Sequence, residues 1–186
     1  MKDYSGERIR NICLMAHGGA GKTTLAEAML YNSGAIDRLG KVVDGNTTTD
    51  FDPEEIKRKI SISTAIATCE WRDHKINVID TPGYFDFVGE VKQGIRVADS
   101  SIILVSAKSG VAVGTEKSWS YAREHKLPVV FFVNKMDEEH ADFFKTFEQL
   151  TSTFGKKVIA FQVPIMENDK FVGIVDVVNM TAKKFD

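Results

Sequence analysis

Ile9-Arg10-Asn11-Ile12-Cys13-Leu14-Met15-Ala16, followed by His17-Gly18-Gly19-Ala20-Gly21-Lys22-Thr23, is the stretch that decides the fold. An apolar run of strand length ends in a glycine-rich loop over 17–21. Lys22 to Asn32 then carries helix-period apolar residues, with Leu25, Ala28 and Met29 expected on the buried side. Gly34 can end that helix in the left-handed region.

A strand, a glycine loop, Gly-Lys-Thr and a helix form a phosphate cradle. Glycines let backbone N–H groups turn inward, and the helix N-terminus adds its positive end. The usual string is G-x-x-x-x-G-K-[ST]; Ala16 stands where its first Gly is expected, so the strand-loop-helix context carries the assignment. His17, Gly18, Gly19, Ala20, Gly21, Lys22, Thr23 and Thr24 are the candidate nucleotide contacts. Lys22 is expected to reach the β- and γ-phosphates, and Thr23 to offer its hydroxyl to Mg²⁺.

Ile76-Asn77-Val78-Ile79-Asp80-Thr81-Pro82-Gly83 is a second apolar strand ending in a polar turn. The reading puts Asp80 beside Mg²⁺ through a water and lets the Gly83 N–H meet the γ-phosphate. Between the two motifs a hydroxyl should close on Mg²⁺ when the γ-phosphate is present. Thr47, Thr48, Thr49, Ser61 and Ser63 are the candidates, and composition does not choose among them.

Pro128-Val129-Val130-Phe131-Phe132-Val133-Asn134-Lys135-Met136-Asp137 sets N-K-x-D at the carboxyl end of a strand, the edge where open α/β sheets bind ligands. Asp137 can accept from guanine N1–H and the exocyclic amine. Asn134 can meet the polar edge of the base, and the Lys135 stem can lie along the ring. Adenine has an acceptor at N1 and lacks the amine, so the carboxylate, expected to be buried, is left unpaired at a cost of several kcal/mol, on the order of a thousandfold. GTP and GDP are therefore the expected ligands, ahead of a P-loop ATPase or kinase reading.

Working outward, apolar runs alternate with helix-period segments, which is the pattern of an α/β protein. The fold expected is a P-loop NTPase three-layer fold with a mostly parallel central sheet. The spacing predicts strands over Ile60 to Trp71 and Lys75 to Asp80 around a turn at Arg72-Asp73-His74, then a helix over 86–97. A strand Ser101 to Ser106, a helix Thr115 to His125, a strand Pro128 to Asn134 and a helix Glu138 to Thr153 follow; Phe143, Phe144, Phe147 and Leu150 form the last helix's apolar face. Residues 35–59 are polar and irregular, with a short helix start at Pro53-Glu54-Glu55; so long a connection is functional or disordered. Val158 to Met166 and Lys170 to Val178 flank Glu167-Asn168-Asp169 as a β-hairpin. The expected domains are a P-loop GTP-binding domain over 1–156 and the truncated beginning of an inserted α+β subdomain over 157–186.

Bulk properties narrow the class further. The 186 residues carry 24 basic and 26 acidic side chains, a formal charge of -2, which gives no case for DNA or broad nucleic-acid binding. A local basic patch around Lys57, Arg58 and Lys59 remains open. Cys13 and Cys69 share no ligand spacing and read as buried thiols of a reducing compartment, and the 4 histidines form no metal pattern. No signal-peptide core or run of 18 apolar residues is present, so a cytoplasmic protein without membrane contact is expected. The 186-residue chain by itself is expected to be monomeric.

With these motifs together, the sequence resembles the nucleotide domain of the translational GTPases, and most of all the elongation factor G family. The likeness rests on Ala16 to Leu25, Asp44 to Ala65, Lys75 to Glu90 and Val129 to Asp137. Phe171-Val172-Gly173-Ile174-Val175-Asp176 is similar to the opening of the subdomain that this family inserts. The resemblance implies an N-terminal piece of a larger ribosome-dependent factor, a Mg²⁺-dependent GTPase with the ribosome as partner. It also implies a Ser-Ala base-contacting loop after the inserted subdomain; Ser106-Ala107 is not that loop, because it ends the strand before Asn134. The sequence as it stands is thus expected to lack one wall of its base pocket.

Departures from the family pattern gather around the attacking water. Tyr84 stands where relatives carry a water-positioning histidine, and its neutral phenol can donate a hydrogen bond. The family's Arg-Gly-Ile-Thr-Ile reads Arg58-Lys59-Ile60-Ser61-Ile62, which makes Ser61 the implied Mg²⁺ ligand. Gly18 and Gly19 replace an aliphatic residue and Asp. The implied catalytic set is Lys22, Gly83 and Tyr84, and the implied metal set Thr23, Ser61 and Asp80. Two functions follow: GTP hydrolysis by direct attack of water, or a GTP-dependent ribosome-binding switch with negligible turnover. The departures suggest a paralogue rather than the main translocase.

Overall fold

The computed structural model describes residues 2–168 and 170–185. Five strands, β1 (Ile9–Ala16), β2 (Ala65–Trp71), β3 (His74–Asp80), β4 (Ser100–Ser106) and β5 (Val129–Asn134), form one sheet in the order β2-β3-β1-β4-β5. β1 runs parallel to β3 and to β4, whereas β2 is antiparallel to β3. The reversal between β2 and β3 is the two-residue turn Arg72-Asp73, both at positive φ, whose twist suits a tight hairpin.

The reason β1 is apolar almost throughout is that both faces of the sheet are covered. Successive side chains point to opposite faces. Leu14 and Ala16 join Val78, Leu104, Ala26 and Leu30, the last two from α1 (Lys22–Asn32). Cys13 and Met15 join Ile79, Ile103, Val91, Ile95 and Ala122, where α3 (Val88–Arg96) and α4 (Val113–Glu124) pack. The expected three-layer α/β architecture is therefore present, and both thiols are free and buried.

α1 ends as expected at Gly34, with φ 74°, where the Gly34 N–H donates to Tyr31 O and the Ala35 N–H to Leu30 O. Its buried face differs from the expectation. Ala26, Glu27 and Leu30 are buried, while Leu25, Ala28 and Met29 are only half-buried and line an apolar groove with Cys69, Trp71 and Ile76.

Residues 35–59 contain a short helix, α2 (Pro53–Arg58), closed by a reciprocal capping box between Asp52 and Glu55. Lys57 and Arg58 both pair with Glu54, so two of the three basic residues around which a patch was left open are matched by a carboxylate. β2 starts at Ala65 rather than Ile60, because the N–H groups of Ile62 and Ser63 donate to Glu55 and that of Thr64 to Glu90 instead of a strand neighbour.

The chain divides into two compact units, Met1–Leu104 with Ala112–Phe132, and Val105–Val111 with Val133–Asp186. In the second, α5 (Phe143–Phe154) begins at an Asp142 cap rather than at Glu138, since the Asp142 side chain accepts from Lys145 N and His140 sits at positive φ. Leu150 and Thr146 are its buried residues, and Phe144 is 62% exposed, outside the apolar face expected of it. β6 (Gln162–Glu167) and β7 (Lys170–Asp176) form the expected hairpin, and β8 (Thr181–Lys184) adds an unforeseen third strand. The turn expected over 167–169 includes Asp169, which lies outside the described residues.

Candidate functional site

Where β1 gives way to α1, Gly21 caps the helix at φ 99° and ψ 28°, a conformation that strains any residue with a Cβ. Ala20 is buried, His17, Gly19 and Thr24 are exposed, and Gly18 is half-buried. Lys22 and Thr23 open the helix at 6% and 7% exposure. Gly83 approaches so closely that a Cβ there would meet Lys22 Nζ at 2.5 Å and Gly18 Cα at 2.8 Å. The side chain of Tyr84, the next residue, lies on Gly18.

Asp80 ends β3 and is 1% exposed. Its Oδ2 accepts from Thr23 Oγ1 and from Thr49 Oγ1, each at 2.8 Å. Ser61 Oγ lies 3.1 Å from Thr23 Oγ1. Of the five hydroxyls that the sequence left open, the fold thus brings Thr49 and Ser61 to this cluster, while Thr48 and Ser63 are exposed and Thr47 is buried with its Oγ1 making no hydrogen bond among the described residues. Asp80 Oδ1 is buried with no hydrogen-bond partner among the described residues.

Electrostatics follow from that burial. It pushes the Asp80 carboxyl up to about 6, against the opposing pull of the Thr23 hydroxyl, Lys22 and the Thr49 hydroxyl. Burial likewise lowers Lys22, with Asp80 and Asp50 acting the other way. Asp50, 5% exposed, is raised by burial and eased by the Ser61 hydroxyl and Lys22. A lone buried carboxylate oxygen beside two or three hydroxyls is a hard, oxygen-only donor set, which fits Mg²⁺. Among the described residues no group of three His, Cys, Asp or Glu side chains could hold a metal ion. A cation here would therefore be completed by hydroxyls and ligand oxygens.

In the second unit, Asn134 and Lys135 are half-buried, and Asp137 is exposed rather than buried as expected, because it lies in the turn beyond the end of β5. The Asn134 carbonyl accepts from Ala107 N at 2.8 Å, which fixes the end of β5. Lys135 adopts φ 62° and its Nζ lies 2.8 Å from Glu138 Oε1. The hydrogen bond from Lys135 holds the Glu138 carboxyl below its usual range.

Asp50, Glu27 and Glu55 were not foreseen as part of this region. Glu27 follows Thr23 by four residues and so shares its helix face, which was the available signal. Asp50 sits in a polar loop whose sequence distinguishes no acidic residue from its neighbours.

A glycine loop between a parallel strand and a helix, with two hydroxyls bound to a buried aspartate and a buried lysine acting electrostatically on it, defines a P-loop nucleotide-binding domain. The family model of the elongation factor Tu GTP binding domain matches residues 7–186, and the chain belongs to that family, the nucleotide domains of translational GTPases. It is 43% identical over 182 residues to elongation factor G of Granulibacter bethesdensis, covering 98% of this chain and 26% of that protein. With elongation factor G 2 of Borreliella afzelii it shares 44% identity over 170 residues, covering 91% and 25%. A crystal structure of a Thermus thermophilus protein matches with a TM-score of 0.92 at 40% identity, covering 97% of this chain and 27% of that one. The chain thus spans about a quarter of the length of these relatives.

Proposed function

We propose that the chain is the GTP-binding domain of a ribosome-associated, cytoplasmic translation factor that hydrolyses GTP to GDP and phosphate with Mg²⁺. The observation that carries this reading is the convergence of buried Lys22, Thr23 and Asp80 with half-buried Ser61 in one cluster at the glycine loop. Family membership and the N-K-x-D motif at 134–137 support guanine as the base.

In this reading the N–H groups of 17–24 cradle the phosphates, and Lys22 neutralises the β- and γ-oxygens. Thr23 and Ser61 would hold Mg²⁺ through their hydroxyls and Asp80 through a water, and the chemistry supplied with it would be neutralisation of phosphate charge. No side chain is the nucleophile. Water attacks the γ-phosphorus, the Gly83 N–H holds a γ-oxygen, and Tyr84 or a ribosomal partner orients the water. In the second unit Asn134, Lys135 and Asp137 recognise guanine. Residues 1–156 form the nucleotide domain and 157–186 open an inserted subdomain, the chain by itself is monomeric, and the ribosome is the partner of the full-length factor.

One observation favours a second reading, a GTP-dependent switch with negligible turnover: the Tyr84 ring lies on Gly18, and its neutral phenol is a weaker substitute for the water-positioning histidine that the family resemblance implies at this position. Phosphate release from GTP by the full-length protein with ribosomes separates the two. Release well above the spontaneous rate supports the enzyme; release no faster than spontaneous hydrolysis leaves the switch.

A further inference from the structure

Glu27 is a carboxylate on the buried face of α1, 1% exposed between Ala26 and Leu30 of the core. Burying such a group is costly unless its oxygens are satisfied. Among the described residues no salt bridge provides for it. Its Oε2 accepts from Gly40 N at 2.9 Å and its Oε1 from Thr48 N. Both oxygens are thus spent on the backbone of one loop, which a further hydrogen bond from Lys41 N to Asn46 Oδ1 closes between them.

The loop is built to fit that carboxylate. A Cβ at Gly40 would meet Glu27 Oε2 at 2.6 Å, Asn46 O at 2.7 Å and Thr47 Cα at 2.9 Å, so no larger residue leaves the contact intact. The residue next to the second clasped N–H is Thr49, whose hydroxyl donates to Asp80, and Asp50 follows, buried near Lys22 and Ser61. Thr23, the residue one helical turn before Glu27, donates to the same Asp80 oxygen. One face of α1 therefore carries both a direct contact to Asp80 and the anchor of the loop that brings the second contact.

We infer that Glu27 is a positioning residue for the phosphate site: its buried carboxylate clasps the backbone at Gly40 and Thr48 and so delivers Thr49 and Asp50 to Asp80 and Lys22. This rests on the reading that the site binds guanine nucleotide. A ligand that needs the loop closed over its terminal phosphate gains from a pre-seated loop; one that leaves the loop open does not. The clasp thus sets the preference for tri- over diphosphate without touching either.

The full-length protein, its E27Q and G40A variants and the double variant test this, with GDP and a non-hydrolysable GTP analogue as probes. E27Q keeps the size but turns one acceptor into an amide N–H donor facing an N–H. Each single variant should lower the ratio of analogue to GDP affinity about fivefold or more. Each should also speed amide exchange at Gly40 and Thr48 about tenfold in the nucleotide-free protein. The double variant should be no worse than the poorer single one, since both break one contact. An unchanged affinity ratio, or additive losses, overturns the inference. If wild type binds neither nucleotide, the functional reading fails, and exchange in the nucleotide-free protein still decides the clasp. Should E27Q not fold, exchange in wild type decides: Gly40 and Thr48 must be protected alike and open together, and unequal opening overturns the clasp.

Discussion

The ring of Tyr84 lies across the Cα of Gly18, so that a Cβ built on that glycine would meet ring carbons Cζ, Cε1 and Cε2 at 3.0, 3.1 and 3.2 Å. The ring fills the volume that a side chain at 18 would need, and the two positions are sterically coupled. G18V must push the ring away, and if Tyr84 orients the attacking water, turnover falls with it. Ribosome-stimulated hydrolysis should drop about tenfold in G18V, yet less than about twofold further when G18V is added to Y84A. Equal losses in both backgrounds would show that Gly18 acts independently of the ring.

Lys22 is 6% exposed, with Gly83 pressed against its ammonium. K22M keeps the aliphatic stem and removes the charge. A charge-assisted contact is worth about 1.5–3 kcal/mol, so Mg²⁺-GTP affinity should fall roughly ten- to a hundredfold while the circular-dichroism spectrum is retained. A change below about threefold, roughly 0.7 kcal/mol, would remove Lys22 from the phosphates.

The three motifs were legible because each closes a strand, and the strands end where the motifs begin: β1 at Ala16, β3 at Asp80, β5 at Asn134. What was not legible depends on contacts far along the chain. Ile60-Ser61-Ile62-Ser63 alternates like a strand, but Glu55 and Glu90 take the N–H groups of 62–64. Thr181-Ala182-Lys183-Lys184 pairs with β7 without any apolar alternation to announce it. Glu27 reads as a surface residue of a helix until the loop carrying Gly40 and Thr48 is folded onto it.

Asp80, pushed up to about 6 by burial, makes the metal-free protein sensitive to pH. Between its ordinary value of 3.8 and about 6 the folded state holds a proton that the unfolded chain has released. Stability from this group is therefore greatest below that window, is lost as pH rises through it, and is level above it. Two pH units correspond to roughly 3 kcal/mol at most, and Asp50, also raised by burial, acts in the same direction. In EDTA the melting temperature should be lower at pH 7.5 than at pH 5, Mg²⁺ with GDP should restore it at pH 7.5, and D80N should flatten the difference. A D80N slope equal to that of wild type would assign the effect to other groups.

Asp137 is exposed at the turn after β5, close in sequence to Lys135, which Glu138 holds at 2.8 Å. An open carboxylate discriminates between bases only when the base itself excludes water from it. Guanine then repays the desolvation with two donors, N1–H and the exocyclic amine, whereas adenine presents an acceptor and repays nothing. The wild-type preference for GTP over ATP should be on the order of a thousandfold, because the mismatch leaves a charged acceptor unpaired. In D137A there is no charge to desolvate, so GTP binding should weaken, ATP binding should rise above its wild-type level, and the ratio should fall below about tenfold. Displacement of a fluorescent GDP by unlabelled GTP and ATP, on wild type and D137A with Mg²⁺ present, reads both affinities. Equal displacement by ATP and GTP from wild type would contradict the guanine assignment. A preference that survives D137A undiminished would move base recognition to another residue, with the half-buried Asn134 the next to substitute.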